Sequence, residues 1–547
     1  CGITVEKINQ YEDAKGHRGC NTGKYMAYTS LPFSKSSKTG IPVSIDEVIV
    51  LPEFETLVQD NVNYLDMDTQ VIVPVNHMDG AGIFLPGVLP QSAQIRGGWI
   101  KGAVFPFDFR QFIFDKQQEG IIEPGSVIKD VWGSDVTIDY IRDHVKLILN
   151  GSQLKMWKYY ESWDQYKKAF KENGLELLIN NMLHYPETEE PVVQSAYQFY
   201  QTIPRQNITE ERIERLCQRT VDTIKDYQKN PNKIIEVMGA DGLQELDPYC
   251  ASVKLYPAMA NDPYTMSRIK SKVQKIRKMA MSGKPLIQGF YSYICPDLYA
   301  ACEYWFCGDK NPEGLIPRNH VYNAFYSPKN VEEVCCLRSP HLSDCEHGIR
   351  TLIKSKECER WFSGMDTVIS THDLLVKTLQ ADVDGDETLI TPDQMFIDLL
   401  DRNKVPLYYE MKKADPMEVN NENIKKCLSC SFENSVIGYI SNSLTKHLNK
   451  QEEPDLDFVQ VLTAYNNFCI DNPKSQFMPT LKAKYQDMFD ALKEEKYPWF
   501  FKYAKDKKVE ACEKYNHKEK SNVNRIVKYI MNQTSSGKLN DKENESV

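Results

Sequence analysis

Short runs rich in Val, Ile, Tyr and Phe, broken by Gly and Pro, fill the chain from about residue 24 to 155. This is the pattern of β-strands punctuated by turns. The clearest runs lie at 48–51, 70–75, 103–107 and 145–149. The period then changes. Ile213, Leu216, Cys217, Val221, Ile224 and Tyr227 recur at helical spacing behind Asn207, a candidate cap, and predict an amphipathic helix over 208–229. A second helix is predicted over 266–280, where Met266, Ile269, Val273 and Ile276 share one stripe. Its other faces carry Arg268, Lys270, Lys272, Lys275, Arg277 and Lys278 without an acid among them. Another strand-like stretch runs from roughly 284 to 392, and from about 395 the pattern is helical almost to the end. Residues 535–547 are polar, and a disordered tail is expected there. The expected fold class is α+β: a β-rich unit, a helical insert, a second β-rich unit and a helical C-terminal region. No sequence repeat links the two β-rich units.

Composition narrows the class. A chain of 547 residues exceeds one ordinary core, so two or more domains are expected. With 41% hydrophobic and 26% charged residues it is globular rather than disordered or fibrous. Apolar runs such as Leu177-Leu178-Ile179 fall far short of a membrane span, and no signal peptide opens the chain. A cytoplasmic protein with no membrane partner is expected. The 15 cysteines lack a framework spacing and suit reduced thiols; Cys427 and Cys430 form a CxxC with no second pair at zinc-finger distance. The chain opens on Cys1 rather than Met, which predicts a fragment or a trimmed product.

The net charge of −10 excludes a broad basic footprint. Any nucleic-acid contact must then be local, since a basic channel can sit inside an acidic body. The basic helix is the candidate, with Arg268, Lys272 and Lys275 as phosphate contacts, set against the plainer alternative of a solvated surface helix.

The sharpest chemistry lies at Asp382-Val383-Asp384-Gly385-Asp386. Three carboxylates within five residues repel one another unless a cation compensates them. Hard oxygen ligands on a short loop suit Mg²⁺, which keeps sites open for water and phosphate. Paired ions of this kind can hold the attacking and leaving oxygens of a displacement at phosphorus. A calcium loop also begins D-x-D-x-D, but it needs Gly at its sixth position and Glu at its twelfth, where this chain has Glu387 and Asp393. An acidic surface turn is the bland rival, because turns favour Asp and Gly. The apolar flanks Leu374-Leu375 and Leu389-Ile390 favour a loop held between buried segments.

The loop resembles the metal-binding signature of the two-barrel RNA polymerases, and further matches follow in the family's order. Asp79-Gly80-Ala81-Gly82, then Gln94-Ile95-Arg96-Gly97-Gly98-Trp99-Ile100-Lys101-Gly102, resemble the first-barrel motifs of the silencing polymerases. Ser152-Gln153-Leu154-Lys155-Met156-Trp157 resembles that barrel's second lysine motif. Arg338-Ser339-Pro340-His341-Leu342 resembles the element preceding the metal loop. Gly438-Tyr439-Ile440-Ser441-Asn442 and Ile470-Asp471-Asn472-Pro473-Lys474-Ser475 resemble signatures of the helical region. The match covers about residues 24 to 480; Val383 and Asn472 depart from the usual residues, and the region such enzymes carry before the first barrel has no counterpart here.

The resemblance implies two double-psi β-barrels: a first barrel region at 1–158, a helical insert at 159–260, a second barrel region with the metal loop at 261–394, a helical region at 395–534 and the tail at 535–547. It implies a nucleotidyltransferase of the single-chain branch, which holds DNA-directed phage polymerases and RNA-directed silencing enzymes. The expected partners are a DNA or RNA template, nascent RNA and ribonucleoside triphosphates, with DNA favoured as template. If the gene is a phage's, the bacterial host cytoplasm is the expected location. Asp382, Asp384 and Asp386 are implied Mg²⁺ ligands, Lys101 and Lys155 face nucleotide phosphates, Arg338 lies near the sugar, and Arg96 joins the substrate side. The rival class is a non-catalytic relative that kept the fold and binds nucleic acid.

Overall fold

The computed structural model describes residues 2–31, 39–63, 68–227, 252–253, 255–434, 436–450, 452–515 and 520–534. The predicted tail at 535–547 and the end of the 208–229 helix, at 228–229, lie outside the described residues.

Two blocks of six strands organise the molecule. The first contains β1 (Val48–Leu51), β2 (Ala81–Phe84), β3 (Ala93–Gly97), β4 (Ile100–Pro106), β5 (Leu147–Asn150) and β6 (Leu178–Asn181). The second contains β7 (Phe290–Pro296), β8 (His320–Tyr322), β9 (Glu333–Leu337), β10 (Gly348–Leu352), β11 (Thr367–Ile369) and β12 (Glu387–Thr391). Strand order is β1-β5-β2-β4-β3-β6 in one and β7-β11-β8-β10-β9-β12 in the other, the same topology used twice. The directions match as well. β1 runs parallel to β5 and β2 to β4, as β7 does to β11 and β8 to β10. The remaining neighbours are antiparallel in both blocks.

Only the second block closes strand to strand, through the antiparallel pairing of β7 with β12. In the first, Gly40 upstream of β1 bridges Leu178 of β6, and the Ile41 amide donates to the Leu177 carbonyl at 2.9 Å. Where two closed barrels were expected, the described residues therefore form one closed barrel and one sheet of equal topology whose edges meet at that bridge. β1, β2 and β5 are buried at every position, as strands covered on both faces must be. β3 alternates instead: Ala93, Ile95 and Gly97 are buried while Gln94 and Arg96 stay partly open. A single apolar cluster, including Ile49, Phe105, Tyr293 and Trp361, runs through both blocks.

The helices around these blocks include α1 (Thr22–Thr29), α2 (Glu210–Tyr227), α3 (Pro263–Met281), α4 (Asn421–Glu433), α5 (Ile437–Leu448), α6 (Leu456–Ser475), α7 (Ala483–Ala491) and α8 (Asn522–Thr534). α2 and α3 lie where the periodicity predicts them, and α2 buries Ile213, Leu216, Cys217, Val221 and Ile224. Its start is different: Thr209 Oγ1 accepts from the Arg212 amide at 3.3 Å, while Asn207 donates to the Leu399 carbonyl. Three further expectations are corrected. The strand-like pattern from residue 24 begins in a helix, α1. Leu178–Asn181, inside the stretch read as helical, is the last strand of the first sheet. Residues 401–420, expected to be helical, contain no helix. No helix among the described residues is long and apolar enough to cross a membrane. Cys427 and Cys430 are free thiols.

Candidate active site

The carboxylate loop, a turn at 383–385, leads directly into β12, and burial divides its residues. Val383 is buried in the shared core, whereas Asp382 is exposed and Asp384 and Asp386 are half-buried. The Asp386 carbonyl accepts from the Ile294 amide of β7 at 3.1 Å, and the Asp382 amide donates to Asp386 Oδ2 at 2.9 Å. Gly385 adopts φ 114°, open to glycine alone at low cost, and a Cβ there would sit 2.6 Å from the Gln94 side chain. Gln94 Nε2 donates to the Gly385 carbonyl at 2.8 Å. The tip of the loop is thus pressed against β3 of the other block.

The second approach is made by the turn before β2. Gly80 has φ 82°, and any Cβ on it would collide with Asp384. A buried polar network fixes this turn. Ser152 Oγ accepts from the Gly80 amide at 2.7 Å, Asn150 donates to the Ala81 carbonyl at 2.7 Å, and Gln153 donates to the Ala103 carbonyl at 2.8 Å. The same segment places the lysines. The Lys101 amide donates to the Gln153 carbonyl at 3.0 Å, and the Lys155 amide to the Trp99 carbonyl at 3.1 Å. Lys101 Nζ then reaches Asp384 Oδ2 at 2.5 Å. From the barrel side, Arg338 immediately after β9 sets Nε 3.0 Å from Asp386 Oδ2 and donates to the Gln380 carbonyl at 2.8 Å.

Electrostatics divides the three aspartates. Asp382 is open to solvent, yet the protein around it, reinforced by the charges of Asp79, Asp384 and Asp386, lifts its carboxyl to about 6. Burial pushes Asp384 the same way, yet Lys101, with Lys155 and Arg96 behind it, overrides burial and holds it below the ordinary carboxylate value. Lys155 is depressed by burial, and nearby Asp79 works against that. Arg96 lies opposite Lys101 in the β3–β4 register. It donates to its neighbour's carbonyl, Ile95 O, at 2.8 Å, and its buried Nε has no hydrogen-bond partner among the described residues. Burial lowers its pKa, against the pull of Asp384.

Among the described residues, no three His, Cys, Asp or Glu side chains converge closely enough to hold an ion. Asp384 and Asp386 instead each face a cation. The carboxylates, Lys101, Lys155, Arg96 and Arg338 do share one neighbourhood, whereas the basic helix stands elsewhere. α3 packs on α2, α8 and the short helix Phe501–Ala504, with Arg268 and Lys275 on its exposed side. The side chain of Lys272 lies outside the described residues. His341 and His347 lie with ring centres 4.4 Å apart and planes tilted by 53° in the interior, where burial lowers both and suits neutral rings.

Gln94, Gly80 and Asp79 belong to this arrangement but were not singled out among the candidates. The only signal for them was membership in the quoted motifs, because their partners lie hundreds of residues away, 291 in the case of Gln94.

No family model matches the chain. It is 36% identical over 543 residues to the DNA-directed RNA polymerase YonO of Bacillus phage SPbeta, an alignment covering 96% of this chain and 60% of that relative. Among solved structures it is similar to the RNA dependent RNA polymerase QDE-1 from Thielavia terrestris, with a TM-score of 0.56 and 11% identity, over 100% of this chain and 58% of that one. The second likeness is one of fold. The chain spans about three fifths of the length of the phage relative.

Proposed function

We propose, from the premise that this chain is a relative of the single-chain two-barrel RNA polymerases, that it carries a nucleotidyltransferase centre for template-directed RNA synthesis. The reaction adds a ribonucleoside monophosphate to an RNA 3′ end and releases pyrophosphate. The observation that carries the reading is the Lys101–Asp384 contact at 2.5 Å. It brings a cation of the first sheet onto the carboxylate loop of the closed barrel, and phosphoryl chemistry needs both kinds of group at one point.

The loop fits a magnesium ion by its donor chemistry. Asp79, Asp384 and Asp386 all act on Asp382 and raise its pKa, so its charged form is costly until a cation compensates it. Asp382, Asp384 and Asp386 would hold Mg²⁺, which when bound stabilises charge on the attacking and leaving oxygens. Lys101 and Lys155 neutralise phosphate oxygens at the reacting centre. Arg338, a planar fork, orients a ribose hydroxyl or phosphate. Arg96 keeps the field around Asp384 positive. Arg268, Lys272 and Lys275 would contact nucleic-acid phosphates away from the centre.

DNA is the favoured template, on the strength of the phage relative's name; the structural neighbour's name motivates the RNA-templated alternative. If phage-encoded, the chain acts in the bacterial host cytoplasm. The test offers the chain matched single-stranded DNA and RNA templates, four ribonucleotides and Mg²⁺, and reads pyrophosphate release and product length. More synthesis on DNA supports the reading. Equal or greater synthesis on RNA reverses the template assignment, and no release on either leaves a non-catalytic nucleic-acid binder.

A further inference from the structure

Beside Asp79 and Lys155 opens a cavity of about 1040 Å³ whose walls come from segments remote in sequence. The N-terminal segment supplies Tyr11, Lys24 and Tyr28, the stretch after β5 supplies Lys158 and Tyr159, and Lys413 closes it from the C-terminal side. These remote pieces are stitched together. Cys20 bridges Met417, and Asn21 donates to the Lys474 carbonyl at 2.7 Å. α1 packs against α4 and α6, with Gly23 so close to the Pro473 carbonyl that no side chain would fit.

Lys24, Lys158 and Lys413 make no ion pair among the described residues, although lysines elsewhere on this acidic chain do, at Lys116, Lys146, Lys171 and Lys354 for example. Asp13, Glu53, Asp79 and Asp415 line the cavity as well, yet burial, with the charges of Lys413 and Lys474, depresses Lys24 against the pull of Asp79. The aromatic rings are interleaved with these charges. Lys155 Nζ lies 6.0 Å from the Tyr28 ring centre and Lys158 Nζ 5.7 Å from that of Trp157, while Tyr11 and Tyr159 meet edge-on at 5.1 Å. Lysines beside partly open rings are the combination that binds single strands, phosphates meeting the charges and bases the ring faces. The volume is at the upper limit of the roughly 300–1,000 Å³ of sites for one small molecule, which favours a strand over a lone nucleotide.

We propose that this cavity holds a segment of single-stranded nucleic acid, more than one nucleotide long, leading away from the carboxylate loop. Its identity as product or template rests on the polymerase reading; the binding itself does not, and is measured without nucleotides. Labelled RNA and DNA strands of about eight nucleotides, within the site sizes of single-strand binders, are titrated onto the chain by fluorescence anisotropy over a range of salt. Lys24→Gln, Lys158→Gln and Lys413→Gln together should weaken binding at least about tenfold and flatten the salt slope by about two, since each phosphate neutralised on a single strand contributes about 0.7. The corresponding arginine triple should bind like the parent, and melting curves confirm that both fold. The preferred sugar type separates product-like from template-like occupancy. Parental affinity and slope in the glutamine triple would overturn the proposal. So would a triple that loses ATP binding while keeping the strand. Lysine-dependent strand binding by a chain that adds no nucleotides would leave the cavity assigned and remove the polymerase reading.

Discussion

Asp384 is where the two six-stranded blocks meet as charges, and its replacement separates chemistry from stability. Asp384→Ala should lower nucleotide addition to less than about a tenth, because loss of metal-borne charge stabilisation costs several kcal/mol of barrier. Stability should change little, by about 1 kcal/mol or less, since the pair it breaks with Lys101 is partly open to water. Primer extension and urea unfolding on the same sample check both. Gly80→Ala tests the approach from the other side. It forces a side chain into φ 82° and against Asp384, so it should destabilise the fold by roughly 1–3 kcal/mol and reduce turnover without removing any functional group. Parental turnover in that variant would show that the Gly80 turn does not position the loop. Of these residues only the aspartates were legible from local spacing. Lys101 and Lys155 emerged through family resemblance, and Gly80 and Gln94 owe their importance to contacts between blocks that no local pattern records.

Among elements, the buried polar network under the site acts as the brace. Gln153 is fully buried, donates to the Ala103 carbonyl and accepts from the Asn150 amide at 3.1 Å. Gln153→Leu fills similar space but strands both partners, at about 1–3 kcal/mol for each buried group left unpaired. It should lower the urea midpoint and also slow nucleotide addition, because the same segment hydrogen-bonds the Lys101 amide. A variant destabilised yet catalytically unchanged would sever the brace from the site. Element types were readable where the period was strong, as in α2 and α3, and lost where tertiary contact decides. α1 carries β-branched and aromatic residues that read as strand, but its docking on α4 and α6 makes it helix. β6 was hidden in a helical stretch because a short edge strand has too few residues to establish a period.

At the scale of the molecule, the α+β class was legible from two β-rich stretches, while their shared strand order was not. Topology is carried by which strands pair, and the two blocks share no repeated sequence. The packing of the blocks on each other supplies the last prediction. His77 ends the hairpin formed by Glu55–Asn63 and Asp68–Asn76, is buried, and has Nε2 2.5 Å from Thr56 Oγ1. The Thr56 hydroxyl donates to the Thr371 carbonyl on the barrel side at 2.5 Å, so it must accept from His77, which places a proton on Nε2. Burial, aided by the charges of His372 and Lys377, drives His77 from 6.5 down to about 3 despite a backbone hydrogen bond at Thr371. In the unfolded chain the ring protonates near 6.5, whereas the folded chain resists until about 3. The folded state therefore binds fewer protons across that window, and its stability is full above 6.5 and falls as the pH drops. The buried carboxyls of Asp297 and Asp366, both raised to about 6 by burial, work in the opposite sense, taking up protons in the folded state. The His77 contribution must therefore be read by difference. Urea unfolding of the parent and His77→Gln at several pH values between about 5 and 7.5 should give a steeper loss of stability on acidification in the parent, whatever the variant's absolute stability. Parallel slopes would mean that His77 takes up its proton in the folded chain as readily as in the unfolded one, and that the joint between hairpin and barrel does not exclude the charge.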